Sequence, residues 1–274
     1  MVEESVIKKL AAQAKIIRRW IVEMTYRAGS GHPGGSLSCA DIVTALYFHI
    51  LRHDPKNHKW SERDRFVLSK GHSCPALYAA LAESGYFAID ELFTLRKLGS
   101  RLQGHPSVLK LPYLEASTGS LGQGLSMAIG MALAAKIDKK DYKVYALIGD
   151  GESNEGNIWE AALFAAHHKL DNLIVFLDRN RIQLDDFTEK ILSLEPLADK
   201  WKAFGWEVKE IDGHNFKEII NAVDWAKQVK CKPVMIIAHT IKGKGVSFME
   251  NTAEFHGKAP NKEQYEQAMK ELEK

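Results

Sequence analysis

Two apolar runs, Val144-Tyr145-Ala146-Leu147-Ile148 and Leu173-Ile174-Val175-Phe176-Leu177, flank a helical stretch. Each ends in polar residues: Gly149-Asp150-Gly151-Glu152 after the first, Asp178-Arg179-Asn180 after the second. Strand, helix and strand in that order read as a parallel pair joined by a crossover helix. Ligands bind beyond the carboxyl ends of such strands. Asp150 and Asn180 are therefore expected there as neighbouring hard oxygen donors. That set suits Mg²⁺, which takes few protein ligands and completes its octahedron with phosphate and water oxygens. The glycines let a diphosphate approach the backbone, and a helix beginning near Asn157 would aim its N–H groups at it. Gly-Asp-Gly alone is equally an ordinary turn. The second strand and Asn180 are what make it a candidate site.

The same alternation runs through the chain. Residues 5–28 read as an amphipathic helix with Val6, Leu10, Ala14, Ile17, Ile21 and Met24 on one face. The glycine-rich run 29–36 breaks it. A second helix is expected from Ser38 or Cys39 to about Leu51, a short strand at 66–68, and helices at 75–84 and 121–136. Residues 99–120 read as loop, with Gly104, Pro106, Pro112 and Gly119 as breakers. Further strands are expected at 206–211 and 233–238, separated by a helix at 216–227. The end, 262–274, is a polar helix or a frayed tail. The expected architecture is three-layer α/β/α with a mostly parallel sheet. No internal repeat or linker divides the chain, so residues 1–274 read as one domain.

Composition narrows the function. At 274 residues, 45% of them hydrophobic, the chain can bury a sizeable core. Lys and Arg total 37 against 35 Asp and Glu, a net +2, which points to neither nucleic acid nor an anionic membrane as partner. Cys39, Cys74 and Cys231 are too scattered for a metal pattern or a disulfide framework. A reducing cytoplasm is the simplest expectation. No apolar stretch is long enough to span a bilayer.

Several of the 11 histidines adjoin glycine: Gly31-His32-Pro33, Gly71-His72-Ser73, Gly104-His105-Pro106, Gly213-His214-Asn215 and His256-Gly257. Any one of them is ordinary surface or structure. Their repetition on glycine hinges points to a site, because glycine lets backbone approach a ligand and imidazoles donate to phosphate and hydroxyl oxygens. A phosphorylated, polyhydroxylated substrate fits such a set.

Gly149 to Ile182, with Glu155-Gly156 inside it, resembles the thiamine diphosphate motif in its transketolase version. Further blocks match that family in order: Arg18 with Ser30-Gly31-His32-Pro33-Gly34-Gly35-Ser36-Leu37, then Ser69-Lys70-Gly71-His72, Gln103-Gly104-His105-Pro106, Thr118-Gly119-Ser120-Leu121-Gly122-Gln123-Gly124, and Phe255-His256-Gly257. The resemblance covers nearly the whole chain and implies the thiamine diphosphate-binding fold. It implies that Asp150, Asn180 and the carbonyl of Ile182 bind Mg²⁺, or Ca²⁺ or Mn²⁺ in its place. His72, Gly151 and His256 would contact the cofactor diphosphate, with Lys242 a further candidate. Gly119 and Leu121 would lie beside the cofactor rings. His32, His105 and His256 would face the sugar hydroxyls. Glu155 resembles a family residue that links paired active sites; it is equally an ordinary first-turn glutamate. His214 reads as structural. Ser120 stands where many members carry proline, and Leu184 where some carry a polar residue.

The resemblance also implies a partner. Single-chain family members continue into a pyrimidine-binding domain that this sequence lacks. The chain is therefore similar to the N-terminal subunit of a split transketolase, working with a C-terminal subunit in an α2β2 assembly on sugar phosphates; a pentose phosphate, a branched or sulfonated sugar, or dihydroxyacetone as acceptor all stay open. Gly122, Ser126, Gly130 and Ala134 recur every four residues on one helix face. That face either meets the partner or packs on the chain's own sheet. The alternatives are the alpha subunit of a thiamine-dependent 2-oxo acid dehydrogenase, which the polar Gly-His loops disfavour, and a non-catalytic cofactor-binding subunit.

Overall fold

A computed structural model describes residues 2–273. Its helices are α1 (Glu4–Ala28), α2 (Pro33–Ser38), α3 (Ala40–Ala45), α4 (Cys74–Glu83), α5 (Gln123–Ile137), α6 (Gly156–His167), α7 (Thr188–Ile191), α8 (Leu197–Ala203), α9 (Phe216–Ala226) and α10 (Lys262–Glu271). Its strands are β1 (Arg65–Leu68), β2 (Val144–Gly149), β3 (Leu173–Arg179), β4 (Glu207–Asp212) and β5 (Val234–His239). They form one sheet in the order β1-β2-β3-β5-β4, and every pairing is parallel.

Alternate strand residues serve opposite faces. Phe66, Leu68, Tyr145, Leu147, Ile174, Phe176 and Ile236 join a core with α1, α3, α4 and α9. Val67, Ala146, Ile148, Val175, Leu177 and Ile237 join another with α5, α6 and α8, where Trp201 packs between Trp159 and Trp206. Burial on both faces explains why β2, β3 and β5 read as continuous apolar runs, while β4, at the sheet edge, alternates with exposed charges. The C-terminal segment is a helix: an Asn261 capping box starts α10, Tyr265 stacks on Tyr26 of α1 at 4.2 Å, and Ala268 and Leu272 are buried.

Some boundaries differ from expectation. The glycine-rich run is broken only over 29–32, and helix resumes at Pro33, where the fixed proline φ suits a first turn. A one-turn π-helix, Leu46–Ile50, then follows α3. After Asp150 a 3-10 turn, Gly151–Asn154, precedes α6, which begins at Gly156, next to the expected start near Asn157. Gly122 is not part of the exposed α5 face: at φ 83° it stands before the helix, and a Cβ there would meet the Asn157 side chain at 1.9 Å.

Candidate functional site

Four strand ends converge. β1 runs into Ser69-Lys70-Gly71-His72, β2 into Asp150-Gly151, β3 into Asn180-Arg181-Ile182, and β5 into Thr240-Ile241-Lys242. The parallel register pairs Gly149 with Asp178 and Asp178 with Ala238, so these ends share one edge of the sheet. They enclose a cavity of about 300 Å³ lined by His72, Leu121, Asp150, Gly151, Glu155, Asn180, Ile182, Lys242 and His256, among others. Every one of these was expected from the sequence. His32, His105 and Gly119 are outside that lining but adjoin it. The His32 ring lies 5.2 Å from His72, 5.4 Å from His256 and 6.3 Å from His105. Gly119 backs His105, where a Cβ would touch the ring at 3.4 Å.

Asp150 and Asn180 are almost fully buried. Asp150 accepts from the Gly151 N–H at 2.7 Å and from the Arg179 guanidinium at 3.3 Å, and also from the Arg181 N–H. Burial pushes its carboxyl up, and the nearby Asp178 charge adds to the push. A bound cation would oppose both. Asn180 donates its amide N–H₂ to Asp178 at 3.1 Å and to Ser38 at 3.3 Å, which fixes its oxygen as the remaining acceptor. The Ile182 carbonyl accepts from Lys242 Nζ at 2.8 Å. One carboxylate, one amide oxygen and one carbonyl form a hard-oxygen set that could hold Mg²⁺ or Ca²⁺.

A second layer, missed in the sequence, organises this one. Lys70 and Asp178 are buried and paired. Lys70 also donates to the Gly35 carbonyl at 2.8 Å, and Asp178 also accepts from Ser38 at 2.6 Å and from Thr240. Burial alone would raise the Asp178 carboxyl, but the Lys70 charge and these hydrogen bonds hold it below its ordinary range. Glu152, buried beside them, accepts from the N–H groups of Gly122 at 2.7 Å and Gly149 at 2.9 Å, and from Ser69. It ties the ends of β1 and β2 to the start of α5. The only sequence signal was position: each charge follows or ends an apolar strand.

Lys242 donates to Ile182, to Gln183 at 3.4 Å and to His256 Nδ1 at 2.8 Å. Burial pushes its ammonium down to about 8. Its loop is held from below. Arg18 grips Asp41 at 2.8 and 2.6 Å and donates to the Lys244 carbonyl at 3.1 Å. His214 bridges Asp41 at 2.7 Å and the Ile241 N–H at 2.9 Å. Arg18 and His214 therefore act structurally, one layer from the cavity.

The site histidines are held neutral. Burial lowers His32 to about 4, aided by Arg96, and lowers His256 to about 3, aided by Lys242. Burial and Lys70 push His72 well below its ordinary value, and His105 is lowered by burial and Arg96. Among the described residues neither the His72 ring nor the His105 ring makes a hydrogen bond, so both keep their donors and acceptors for a ligand. Glu155 is exposed at the N-terminus of α6 and likewise has no side-chain hydrogen bond there. Leu184, at 60% exposure, lies at the cavity mouth.

The family model described as "Transketolase, thiamine diphosphate binding domain" matches residues 9–273. A 6-deoxy-6-sulfo-D-fructose transketolase subunit of Clostridium sp. (strain MSTE9) is 51% identical, covering 97% of this chain and 96% of its own length. An apulose-4-phosphate transketolase subunit of Phocaeicola vulgatus is 47% identical, covering 97% and 94%. The crystal structure of transketolase from Campylobacter jejuni superposes with a TM-score of 0.93 at 38% identity, over 97% of this chain. This chain spans 43% of that one's length.

Proposed function

The chain belongs to the transketolase family, matching its thiamine diphosphate-binding domain, and on that premise we propose that it is the diphosphate-binding subunit of a two-subunit transketolase. The enzyme would transfer a two-carbon ketol unit from a ketose phosphate, or a related anionic ketose, to an aldose acceptor. The carrying observation is the convergence of Asp150, Asn180, the Ile182 carbonyl, Lys242, His72 and His256 on one cavity at the carboxyl edge of a parallel sheet. Two of the similar proteins are themselves named as transketolase subunits and match over nearly their full lengths. The 2-oxo acid dehydrogenase reading is not favoured by these relatives.

In this reading, residues 1–274 are one diphosphate-binding domain. Asp150, Asn180 and Ile182 hold Mg²⁺, or Ca²⁺ or Mn²⁺. His72, Gly151, Lys242 and His256 hold the diphosphate, while Gly119 and Leu121 flank the cofactor rings. Bound thiamine diphosphate supplies the nucleophilic carbon and the electron sink for breaking and making a carbon–carbon bond. The protein's own part is to orient the sugar and move protons. His32, His105 and His256, uncharged at neutral pH, are able to donate to hydroxyls or exchange protons with them. The site's single cavity edge is completed by a C-terminal subunit carrying a pyrimidine-binding domain, and Glu155 reaches toward the paired site. The assembly is cytoplasmic and α2β2. Among the described residues no helix is long and apolar enough to cross a membrane.

The test begins with Asp150→Ala. Losing one hydrogen bond to a charged group costs roughly 1.5–3 kcal/mol, so Mg²⁺-dependent affinity for thiamine diphosphate should fall at least about tenfold by calorimetry. Unchanged affinity would remove Asp150 from the site. Mixing the wild-type chain with a C-terminal subunit should produce ketol transfer that neither chain shows alone. Full turnover from this chain by itself would sink the two-subunit reading.

A further inference from the structure

Arg96 is not a residue the sequence singles out, yet its side chain ends in the histidine cluster. Its Nη2 lies 3.3 Å from His32 Nδ1, and its Nη1 donates to Ser30 Oγ at 3.0 Å. A guanidinium is donor-only at every nitrogen. The ring nitrogen it faces must therefore be the acceptor, so the proton of a neutral His32 sits on Nε2. That nitrogen lies on the side of Gly257, where a Cβ would stand 3.6 Å away. With glycine there, nothing from residue 257 covers the Nε2–H.

Two backbone features serve this placement. Arg96 has φ 59°, a left-handed conformation uncommon for any residue but glycine, and its N–H is anchored to the Leu102 carbonyl at 2.9 Å. Gly104 has no side chain where one would collide with the guanidinium, at 2.8 Å from Cζ. An irregular backbone and a missing side chain both go into seating one cation against one imidazole.

We propose that Arg96 is a positioning residue: it locks His32 in the tautomer protonated at Nε2, so that this ring meets the substrate as a hydrogen-bond donor. Charge works in the same direction. The groups facing His32 are Arg96, His105, His72, His256 and, behind them, Lys242 and Lys70; no carboxylate is among them. Burial and Arg96 together hold the ring neutral at physiological pH. A lysine at 96 would keep the charge but offer a single point donor in place of the planar fork that spans Ser30 and His32. The assignment of the tautomer rests on the geometry alone; its consequence for turnover rests on the transketolase reading.

Nitrogen-15 NMR of the His32 ring in the wild-type chain tests the tautomer directly. One population with Nε2 protonated is expected, and an Nδ1-protonated ring would overturn the proposal before any variant is made. In Arg96→Met the ring should become a mixture of tautomers, and its titration should move from about 4 toward 6.5. Arg96→Lys should restore most of the low titration but not the single tautomer. In the complex with its partner subunit, Arg96→Met should lower kcat for ketol transfer and shift the acid limb of the pH–rate profile upward, with cofactor affinity unchanged. Lost turnover with an unaltered His32 tautomer and pH profile would make Arg96 merely structural and reject the proposal. Loss of cofactor affinity in Asp150→Ala with an unaltered His32 spectrum would separate the fate of the cofactor site from that of this pair.

Discussion

Cation and imidazole neighbours dominate the site at the scale of single residues. Lys70, Lys242 and Arg96 surround four histidines, and each histidine is pushed down by burial first and positive charge second. This has a consequence for stability. The unfolded chain protonates these rings near pH 6.5, while the native chain does not protonate His32 until about 4 or His256 until about 3. Below pH 6.5 the unfolded state therefore binds more protons, and stability falls as pH falls. Asp150 and Glu152, whose folded carboxyls are raised by burial, oppose this, but four lowered histidines outnumber them. The cofactor-free chain should thus lose urea midpoint as pH falls from about 6.5 toward about 5, the range in which the unfolded histidines take up protons and the folded ones do not. His32→Asn should make that slope shallower. A midpoint that holds or rises across the window would contradict the neutral-histidine assignment. Asp150, Asn180 and the Gly-His residues were legible because each type announces its chemistry and sits at a strand end or glycine hinge. Lys70–Asp178 and Arg96–His32 were not, because a charge acquires its role from burial and from a partner 108 or 64 residues away.

Among the elements, sequence legibility followed packing on the sheet. α1 and strands β1, β2, β3 and β5 were readable because their apolar patterns are what the two cores require. The Pro33 helix was not, because glycine content reads as a breaker when nothing shows what lies against it. In the structure α2 is a seam. The Gly34 N–H donates to the Phe255 carbonyl at 3.0 Å, and the Gly243 N–H donates to the Gly34 carbonyl at 3.0 Å. A Cβ at Gly34 would stand 2.9 Å from the Phe255 carbonyl and 3.3 Å from Lys242. Gly34→Ala should therefore shift the segment carrying His256 and the loop carrying Lys242. Overpacking of this kind typically costs about 1–3 kcal/mol. The expected result is a lower thermal midpoint together with weaker thiamine diphosphate binding, measured on the same preparation. Gly156→Ala, at the start of α6, where a Cβ meets nothing within 4 Å, is the control: binding should be unchanged and the midpoint no lower. Equal behaviour of the two variants would mean that the seam does not set the site.

For the whole molecule, the question is which surface meets other chains. α5 packs on the sheet through Leu125, Ala128, Ile129 and Ala132, and turns Ser126, Gly130 and Ala134 outward. Packing of those small residues on the chain's own sheet is thereby ruled out. Around them Met127 is 41% exposed and Ile137 70%, and the neighbouring α6 exposes Leu163 at 60% and Phe164 at 44%. Apolar side chains rimming a strip of small residues form the kind of patch that marks a protein contact. Gly130 is the place to probe it, because a Cβ there meets nothing within 4 Å. In the isolated chain, Gly130→Leu faces solvent and replaces a poor helix former, so helix propensity should favour the variant by up to about 1 kcal/mol. In the proposed assembly, with this face as the interface, the same side chain would enter a packed contact at a cost of about 1–3 kcal/mol. The two effects have opposite signs in the two states, which separates interface from fold. The variant's unassembled thermal midpoint should hold or rise, while native mass measurement with the proposed C-terminal subunit, alongside a ketol-transfer assay, should show loss of the proposed α2β2 species and of its activity. Intact assembly with full activity would place the interface elsewhere on the molecule.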